Sequence, residues 1–325
     1  MMAQDKHHSD ARGCPMHTTA HVFDEVAAAE SISPGIGDGT RTGVLLVNHG
    51  SHSPTWRRML LDVHAGVRDD LLALPGVEGV RTAFMEYTEP SIATQLEAFD
   101  RDRFDRVILV PLLLTVSGHS FDDIPTIYGA KSEAHSIAML EAEGIGRYSP
   151  NAQVVMTPLL DYAKLVRKNM ARRIRSLLRD HAASSSTPTR DGAVLVGYGS
   201  EEFNAQWSAF FEELCGVARR ELDLATVQYC WCGHIVRYQK DPTVSAINDV
   251  LKSADRALVI PLLVAFDEFF QDKIIGGAVK QVGLPDRVLY IHDSILPEPE
   301  VNCWVVEIVK VTLACPNGLE QVLLS

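Results

Sequence analysis

The chain carries two segments that match each other in order, and this internal duplication limits the folds that it can adopt. Residues 193–200 (Ala-Val-Leu-Val-Gly-Tyr-Gly-Ser) parallel residues 44–51 (Val-Leu-Leu-Val-Asn-His-Gly-Ser). Residues 254–264 parallel residues 104–114 even more closely, and both contain an Asp-Arg pair, a proline and paired leucines. Self-similarity of this kind indicates a repeated architecture. We therefore predict two similar lobes.

Each copy alternates short apolar runs with segments of helical periodicity, which predicts an α/β fold. In the first copy we expect a helix with Ser53 as its N-cap and Pro54 at its first position. Strands joined by helices form parallel sheets with right-handed crossovers, so each lobe should contain a small parallel sheet flanked by helices. The expected strands are 43–47, 80–84, 106–114 and 153–156, and the expected helices are 54–74, 91–99, 131–143, 162–181 and 203–222.

Composition divides the chain into four predicted regions. Residues 1–42 lack sustained periodicity and are expected to form a flexible tail that contains histidines. Residues 43–181 form the N-terminal lobe with the active site, residues 182–192 are a small, polar linker, and residues 193–325 form a degenerate C-terminal lobe. The tail histidines either collect metal ions or have no specific role.

Charge and hydropathy exclude two classes of partner. The formal net charge of -12 and the pI of about 5.4 argue against nucleic acid, because nucleic-acid-binding proteins usually present a basic face. No apolar run reaches the length of about 18 to 20 residues that a membrane-spanning helix needs. The first residues do not resemble a secretory leader. We expect a cytoplasmic monomer or homodimer.

Six cysteines in a chain of this length do not resemble a disulfide framework. Cys215, Cys303 and Cys315 lie in apolar helical patterns and are expected to be buried thiols. Cys230 and Cys232 precede His234 at unusually tight spacing. This cluster is either a site for a soft metal, with three ligands, or the end of a strand.

Three potential metal ligands follow the predicted strands of the first lobe. His49 follows the first strand, Glu86 ends the second, and His119 follows the third. Ligands of parallel sheets bind at the carboxyl ends of the strands, so the three side chains should converge. Two imidazoles and a carboxylate suit a transition metal such as cobalt, iron or nickel, and an imidazole also accepts protons near neutral pH. In the second copy Tyr198 matches His49 and Phe269 matches His119, which indicates that only the first lobe reacts.

Each of these residues also has a simpler interpretation. His49 would hydrogen-bond a tight turn, His119 would be a surface histidine, and Glu86 would be an exposed carboxylate. Gly118 is expected to give the loop before His119 backbone freedom. The neighbouring acids, Asp122 and Asp123, are either outer metal ligands or a helix cap, and we favour the cap. Three further histidines lie on helices or in a first turn, and we expect them at the surface or at the edge of the core. They are His52, His64 and His135.

The combined motifs resemble a known family, the class II tetrapyrrole chelatases, which include sirohydrochlorin cobaltochelatases and ferrochelatases. The resemblance rests on the His-Gly-Ser of residues 49–51, on the segment 86–91 with its Glu-Pro-Ser, and on residues 110–125 with their Pro, paired Leu, Thr, Gly and His. It spans residues 43–315 and is strongest at 43–160. The pattern within residues 110–125 is fairly specific, whereas His-Gly-Ser alone is weak.

The resemblance implies that a divalent metal is inserted into a sirohydrochlorin-type macrocycle lying between the lobes. His49 and His119 would bind the metal and take up pyrrole protons, with Glu86 assisting. The metal would be a substrate, and no permanent cofactor is implied. Arg57 and Arg58 are candidate partners for the carboxylates of the macrocycle.

Two other functions fit parts of the pattern. A non-catalytic carrier of metal or tetrapyrrole would keep the cleft, but it has less need of two imidazoles and a carboxylate. A metal-dependent hydrolase is a further alternative, although the sequence has no phosphate-binding glycine loop and no nucleophile elbow.

Overall fold

The computed structural model describes residues 39–160, 165–182 and 190–314, so nearly all of the predicted tail lies outside the described residues. The first lobe contains one sheet of four parallel strands in the order β2-β1-β3-β4. Ser53 caps the first helix, because its hydroxyl accepts a hydrogen bond from the backbone N–H of Trp56, as predicted. The elements are β1 (Thr42–Asn48), α1 (Pro54–Leu72), β2 (Val77–Phe84), α2 (Ile92–Arg101), β3 (Arg106–Pro111), a first π-helix (His119–Asp123), α3 (Ile124–Ile127), α4 (Ala134–Ala142), β4 (Gln153–Met156) and α5 (Leu165–Ala182).

The second lobe repeats this topology with a sheet of four parallel strands in the order β6-β5-β7-β8. A π-helix again follows the third strand of the lobe. The predicted α/β fold with two similar lobes is therefore confirmed. The elements are β5 (Asp191–Gly197), α6 (Asn204–Leu222), β6 (Thr226–Trp231), a 3₁₀ turn (His234–Val236), α7 (Asp241–Leu251), β7 (Arg256–Pro261), a second π-helix (Phe269–Ile275), α8 (Gly276–Val282), β8 (Val288–Tyr290) and α9 (Pro299–Ala314).

The strands form because both faces of each sheet are covered. In β1, Val44 and Leu46 point to a core shared by the two lobes, whereas Leu45 and Val47 point to an outer core of the first lobe. All four side chains are fully buried. A run of apolar residues without polar alternation is what a sheet buried on both faces requires. The third strand ends at Pro111, three residues before the predicted end, and the chain then turns toward the first π-helix.

The last helix of each lobe packs against the other lobe. Helix α5 follows the first sheet in sequence but contacts β7, and α9 follows the second sheet but contacts α1 and β3. Their apolar residues join those of α1 and α6 in the shared core. The two lobes therefore bury one common core in addition to their separate outer cores.

The sequence predicts that the basic stripe of α5 is a solvated face, and the packing contradicts this prediction at one residue, Arg173. The stripe consists of Arg167, Lys168, Arg172, Arg173 and Arg175. Arg173 is buried, and its guanidinium donates hydrogen bonds to the Pro261 carbonyl (2.7 Å) and to the Asp293 carboxylate (2.9 Å). Arg172 is exposed, and it forms an ion pair with the buried carboxylate of Glu298. Burial of a guanidinium requires such partners, and the stripe contributes to contacts between the lobes.

The cysteines agree only in part with the prediction. Cys215 is buried and free, as expected. Cys303 is instead half-buried and disulfide-bonded, so its interpretation as a buried thiol was wrong. The apolar stripe of α9 borders on Cys303, and helical periodicity does not separate the edge of such a stripe from its centre. Cys14 and Cys315 lie outside the described residues. Among the described helices, none has both the length and the apolar composition needed to span a membrane.

Candidate metal centre and cleft

The structure brings together the three predicted ligands of the first lobe. One ligand atom from each of His49, Glu86 and His119 lies within 4.8 Å of the other two. The three side chains are half-buried, and they follow β1, β2 and β3. The carboxyl ends of parallel strands meet at one edge, which explains their convergence. Their role as metal ligands remains a prediction.

The turn after β1 is held tightly against the end of β2. The backbone N–H of Glu86 donates to the His49 carbonyl at 2.9 Å. Gly50 has a φ of +105°, and a Cβ at this position would lie 2.1 Å from the Glu86 carbonyl oxygen. Only glycine fits such a close approach. The His-Gly pair therefore sets the distance between the first imidazole and the carboxylate.

His119 begins the first π-helix, where its ring is oriented by an acid four residues later. The His119 Nδ1 donates to Asp123 Oδ2 at 2.8 Å, and this direction leaves Nε2 facing His49. The favoured interpretation of Asp123 as a helix cap was wrong, since its side chain makes no capping hydrogen bond. Gly118 has an ordinary helical φ of −49°, so it does not supply the backbone freedom that we expected.

The two imidazoles face each other through their Nε2 atoms, which are 3.1 Å apart. His49 Nδ1 lies 3.1 Å from the Gly50 carbonyl, which only accepts, so both Nδ1 atoms are donors. Two bare nitrogen lone pairs repel each other at this distance. We therefore infer that the Nε2 atoms share either one proton or one metal ion.

The surroundings shift the pKa values of the two imidazoles in opposite directions. Burial, followed by the charge of His119, lowers the pKa of His49. Burial alone would also lower the pKa of His119, but the hydrogen bond and charge of Asp123 raise it. A single proton shared by the pair therefore resides mainly on His119.

Glu143 is an acid near the metal centre that the sequence reasoning missed. It follows α4 and lines both the main cleft and a second cavity of about 590 Å³ that also contacts Glu86. Partial burial, followed by the charges of Glu86 and Asp123, raises the pKa of Glu143. Its helical segment was predicted, but periodicity did not show which end of the helix faces the cleft.

His49 and His119 line a cleft of about 1010 Å³, together with other residues of both lobes. This volume is at the upper end of the range for small-molecule sites, about 300 to 1,000 Å³. The predicted placement of His119 opposite Phe269 is confirmed by the structure, because each begins the π-helix of its lobe.

The second lobe lacks all three candidate ligands at the equivalent positions. The N–H of Gly233 donates to the Tyr198 carbonyl at 2.9 Å, as the N–H of Glu86 does to His49, so Gly233 occupies the position of Glu86. The three positions are therefore occupied by Tyr198, Gly233 and Phe269. Aromatic contacts extend this wall: the ring of Tyr198 lies 5.5 Å from that of Phe270, and the ring of Tyr238 lies 5.6 Å from that of Phe269.

Each π-helix is supported by the opposite lobe. The indole Nε1 of Trp207, on α6, donates to the Val116 carbonyl at 2.7 Å, three residues before His119. On the other side, Ser51 donates to Asp267 Oδ2 at 2.8 Å, two residues before the second π-helix. The second lobe thus contacts the chain close to both histidines of the first lobe.

A second set of hydrogen bonds reinforces this contact at the start of α1. Ser53 and Thr55 both donate to the carboxylate of Glu268, at 2.7 and 2.8 Å. A backbone hydrogen bond and these two hydroxyl donors lower the pKa of Glu268. A carboxylate near the N-terminus of a helix is also favoured by the helix dipole. The acidic residues Asp267 and Glu268 therefore join the lobes.

Several other predicted residues lie elsewhere. His64 is half-buried on α1 and hydrogen-bonded to Thr82 at 2.9 Å, which agrees with a place at the core edge. His52 and His135 are exposed and line the cleft. Arg57 donates to the Ser51 carbonyl at 2.5 Å, and neither it nor Arg58 lines the cleft.

The cluster at residues 230–234 is the end of a strand. Cys230 and Cys232 are buried and free, and burial raises the pKa of Cys230 to about 12 and raises that of Cys232 as well. Thiols that remain protonated are poor metal ligands. His234 is exposed and packs against the Tyr198 ring. Within the described residues, no metal-binding group includes these three side chains.

Two sequence relatives each match about a third of the chain. Sirohydrochlorin cobaltochelatase of Saccharolobus solfataricus is 29% identical over 101 residues, which are 31% of this chain and 74% of that protein. The enzyme of the same name from Methanopyrus kandleri is 29% identical over 90 residues, which are 28% of this chain and 60% of that protein.

The described fold also matches solved structures over both lobes. The sirohydrochlorin chelatase SirB of Bacillus subtilis subspecies spizizenii, in complex with cobalt, gives a TM-score of 0.60 at 17% identity and covers 86% of this chain and 97% of its own. SirB from Bacillus subtilis with Fe3+ gives a TM-score of 0.61 at 18% identity, and the match covers 85% of this chain and 96% of that chain. At these identities the likeness concerns the fold.

The match to these relatives and to a family model over the first lobe confirms the resemblance to class II tetrapyrrole chelatases found in the sequence. The family model that matches is called CbiX, and it matches residues 43–177, which include the sheet of the first lobe. This match ends within α5. The second lobe repeats the fold without the three candidate ligands.

Proposed function

We propose that the protein is a metal chelatase that inserts Co2+, Fe2+ or Ni2+ into sirohydrochlorin or a related tetrapyrrole. The observation that carries this proposal is the group formed by His49, Glu86 and His119, of which both histidines line a cleft between the lobes. The relatives named as sirohydrochlorin cobaltochelatases support the choice of substrate. The alternative, a non-catalytic carrier of metal or tetrapyrrole, has less need of two imidazoles and a carboxylate.

The spacing of the imidazoles suits a weakly held metal ion. If each nitrogen–metal distance is about 2.1 Å, nitrogens 3.1 Å apart subtend an angle of about 95° at the metal. Such an angle corresponds to adjacent positions of an octahedral or square-planar shell, with further positions open. Glu86 supplies one more donor on the same side. An incomplete shell holds the ion and still allows its transfer.

Proton transfer balances metal transfer in the proposed reaction. The ring loses two pyrrole N–H protons and gains one dication, while the two imidazoles lose the metal and become free to accept one proton each. His49 would accept the first proton readily only while it is neutral, and its lowered pKa keeps it neutral at physiological pH. The protons then pass to solvent through the open cleft.

Positioning residues support the same chemistry. Asp123 holds His119 so that Nε2 faces the cleft, and the Gly50 carbonyl does the same for His49. A histidine ligand that donates its other ring N–H to a carboxylate or carbonyl is common in metal sites. The aromatic wall of Tyr198 and Phe269 provides an apolar face for a conjugated ring.

The test is an insertion assay with sirohydrochlorin and each metal, followed by absorbance. We expect insertion faster than the spontaneous reaction for at least one metal, and a fall to the spontaneous rate in His119→Ala. His64→Ala is the matched control, because His64 is a half-buried histidine that does not line the cleft. Rates equal to the spontaneous rate for every metal would refute a chelatase acting on this ring. An active His119→Ala protein would refute the assigned site.

A further inference from the structure

The cleft lacks the residues that usually bind carboxylates. This inference rests on the proposed function, since a sirohydrochlorin-type macrocycle carries peripheral carboxylates that require positively charged or N–H partners. Among the described residues that line the cleft, none is lysine or arginine. The two arginines that the sequence offered, Arg57 and Arg58, do not line the cleft. Recognition of the carboxylates must therefore use other side chains or backbone N–H groups.

The cleft also carries carboxylates of its own, and several of them have partners. Asp122 accepts from Lys131 at 2.8 Å, Asp123 accepts from His119, and Asp267 accepts from Ser51. An acidic cleft repels an anionic ring unless other side chains compensate. The six acidic residues that line the cleft are Asp122, Asp123, Glu143, Glu201, Glu202 and Asp267.

Three exposed histidines line the same cleft outside the metal centre. His52 lies between β1 and α1, His135 lies on α4, and His234 begins the 3₁₀ turn after β6. They come from three different elements and from both lobes. The ring of His52 faces Tyr87 with centroids 4.5 Å apart, and that of His234 faces Tyr198 at 5.4 Å, in a wall that includes Tyr238.

We propose that His52, His135 and His234 bind the peripheral carboxylates of the macrocycle. In the described part of the cleft, imidazoles are the side chains that can carry positive charge, and these three are exposed while His49 and His119 face each other. Their distribution over both lobes suits a large ring with several acidic substituents. Protonation adds a positive charge to an imidazole, so we expect the protein to bind the ring more tightly as the pH falls.

The test measures binding of metal-free sirohydrochlorin to the full chain, by quenching of tryptophan fluorescence at about pH 6 and at about pH 8, on either side of the ordinary histidine pKa of about 6.5. In the unmodified protein we expect tighter binding at the lower pH. Each single His→Gln variant should weaken binding at the lower pH by about threefold, as expected for an exposed ion pair. The triple variant should lose most of the difference between the two pH values.

Lysine variants separate charge from shape. His135→Lys and His234→Lys keep a positive charge at both pH values, so they should bind tightly at the lower pH and retain that affinity at the higher pH. Co2+ binding, measured by titration calorimetry, should be unchanged in all variants because the metal centre is separate from these residues.

The outcomes distinguish this inference from the proposed function. If sirohydrochlorin does not bind the unmodified protein, the proposed substrate is wrong. If it binds but the glutamine variants bind equally well at both pH values, the carboxylate-binding role of the three histidines is overturned. A loss of affinity in the lysine variants at the lower pH would also overturn it, since charge would then not be the cause.

Discussion

Asp123 and His119 occur together in the first lobe, and both are replaced by other residues in the second lobe. Phe269 occupies the position of His119 in the second lobe, and Lys273, four residues later, occupies that of Asp123. The neighbouring aspartate is kept in both lobes, as Asp122 and Asp272. An acid that is lost only where the histidine is lost serves the histidine. We infer that Asp123 positions the ring of His119.

Replacing Asp123 by asparagine should weaken metal binding. The imidazole of His119 would lose a charged acceptor, and outer partners of metal-binding histidines typically contribute about 10- to 100-fold to affinity. Titration calorimetry with Co2+ measures this change. Asp122→Asn is the matched control, because Asp122 pairs with Lys131 and should leave Co2+ affinity within about twofold of the unmodified protein. Equal affinities for the two variants would contradict the positioning role.

The sequence predicted the positions of some residues of the site but not the contacts of others. The convergence of His49, Glu86 and His119 followed from their places after parallel strands. The contribution of Asp123 did not, because an acid at this spacing serves equally as a helix cap or as a partner of a ring. Which of the two it is depends on the direction of the imidazole, and only the three-dimensional structure gives that direction.

At the level of helices and strands, α6 supports the first π-helix from the opposite lobe. Trp207 is 5% exposed, and its indole donates to the Val116 carbonyl in the chain leading to His119. A carbonyl left without its donor in a buried contact costs about 1–3 kcal/mol. The position of His119 therefore depends on a residue of the lobe that lacks the three candidate metal ligands.

Replacing Trp207 by phenylalanine should lower Co2+ affinity by about 3- to 10-fold, since the loop before His119 would lose its hydrogen bond. Trp304→Phe is the matched control: Trp304 is also 5% exposed, and its indole nitrogen has no hydrogen-bond partner among the described residues. The control should reduce the melting temperature through lost packing and leave Co2+ affinity unchanged. Equal losses of Co2+ affinity in both variants would argue that general destabilisation is the cause.

Helices and strands were largely predicted from hydrophobic periodicity, whereas the partners of the helices were not. The helix predicted at 162–181 is observed at Leu165–Ala182 among the described residues. Its buried arginine was predicted to be solvated, because periodicity shows which face is apolar and not which polar residues meet acids of another lobe. Arg173 is buried only because Asp293 and the Pro261 carbonyl lie opposite it.

In the whole molecule, the shared core and the pairing of Arg173 with Asp293 should make the lobes unfold together. Arg173→Met leaves the Pro261 carbonyl and the Asp293 carboxylate without their donor, and we expect a loss of about 2–3 kcal/mol in the free energy of unfolding. Urea denaturation followed by circular dichroism measures it and should show a single transition. Arg175→Met is the control, since its ion pair with Glu221 is exposed and should contribute less than about 0.5 kcal/mol. Two separate transitions in the unmodified protein would contradict the shared core.

Because the last helix of each lobe packs against the other lobe, the order of synthesis determines when the first lobe can be completed. All four strands of its sheet are made by Met156, but the inner face near β3 is covered by α9, which begins at Pro299. More than a hundred residues must therefore leave the ribosome before that apolar face is buried. For the same reason, a gene divided at the linker would yield two halves that each lack the helix covering their own sheet and carry the helix that belongs to the other.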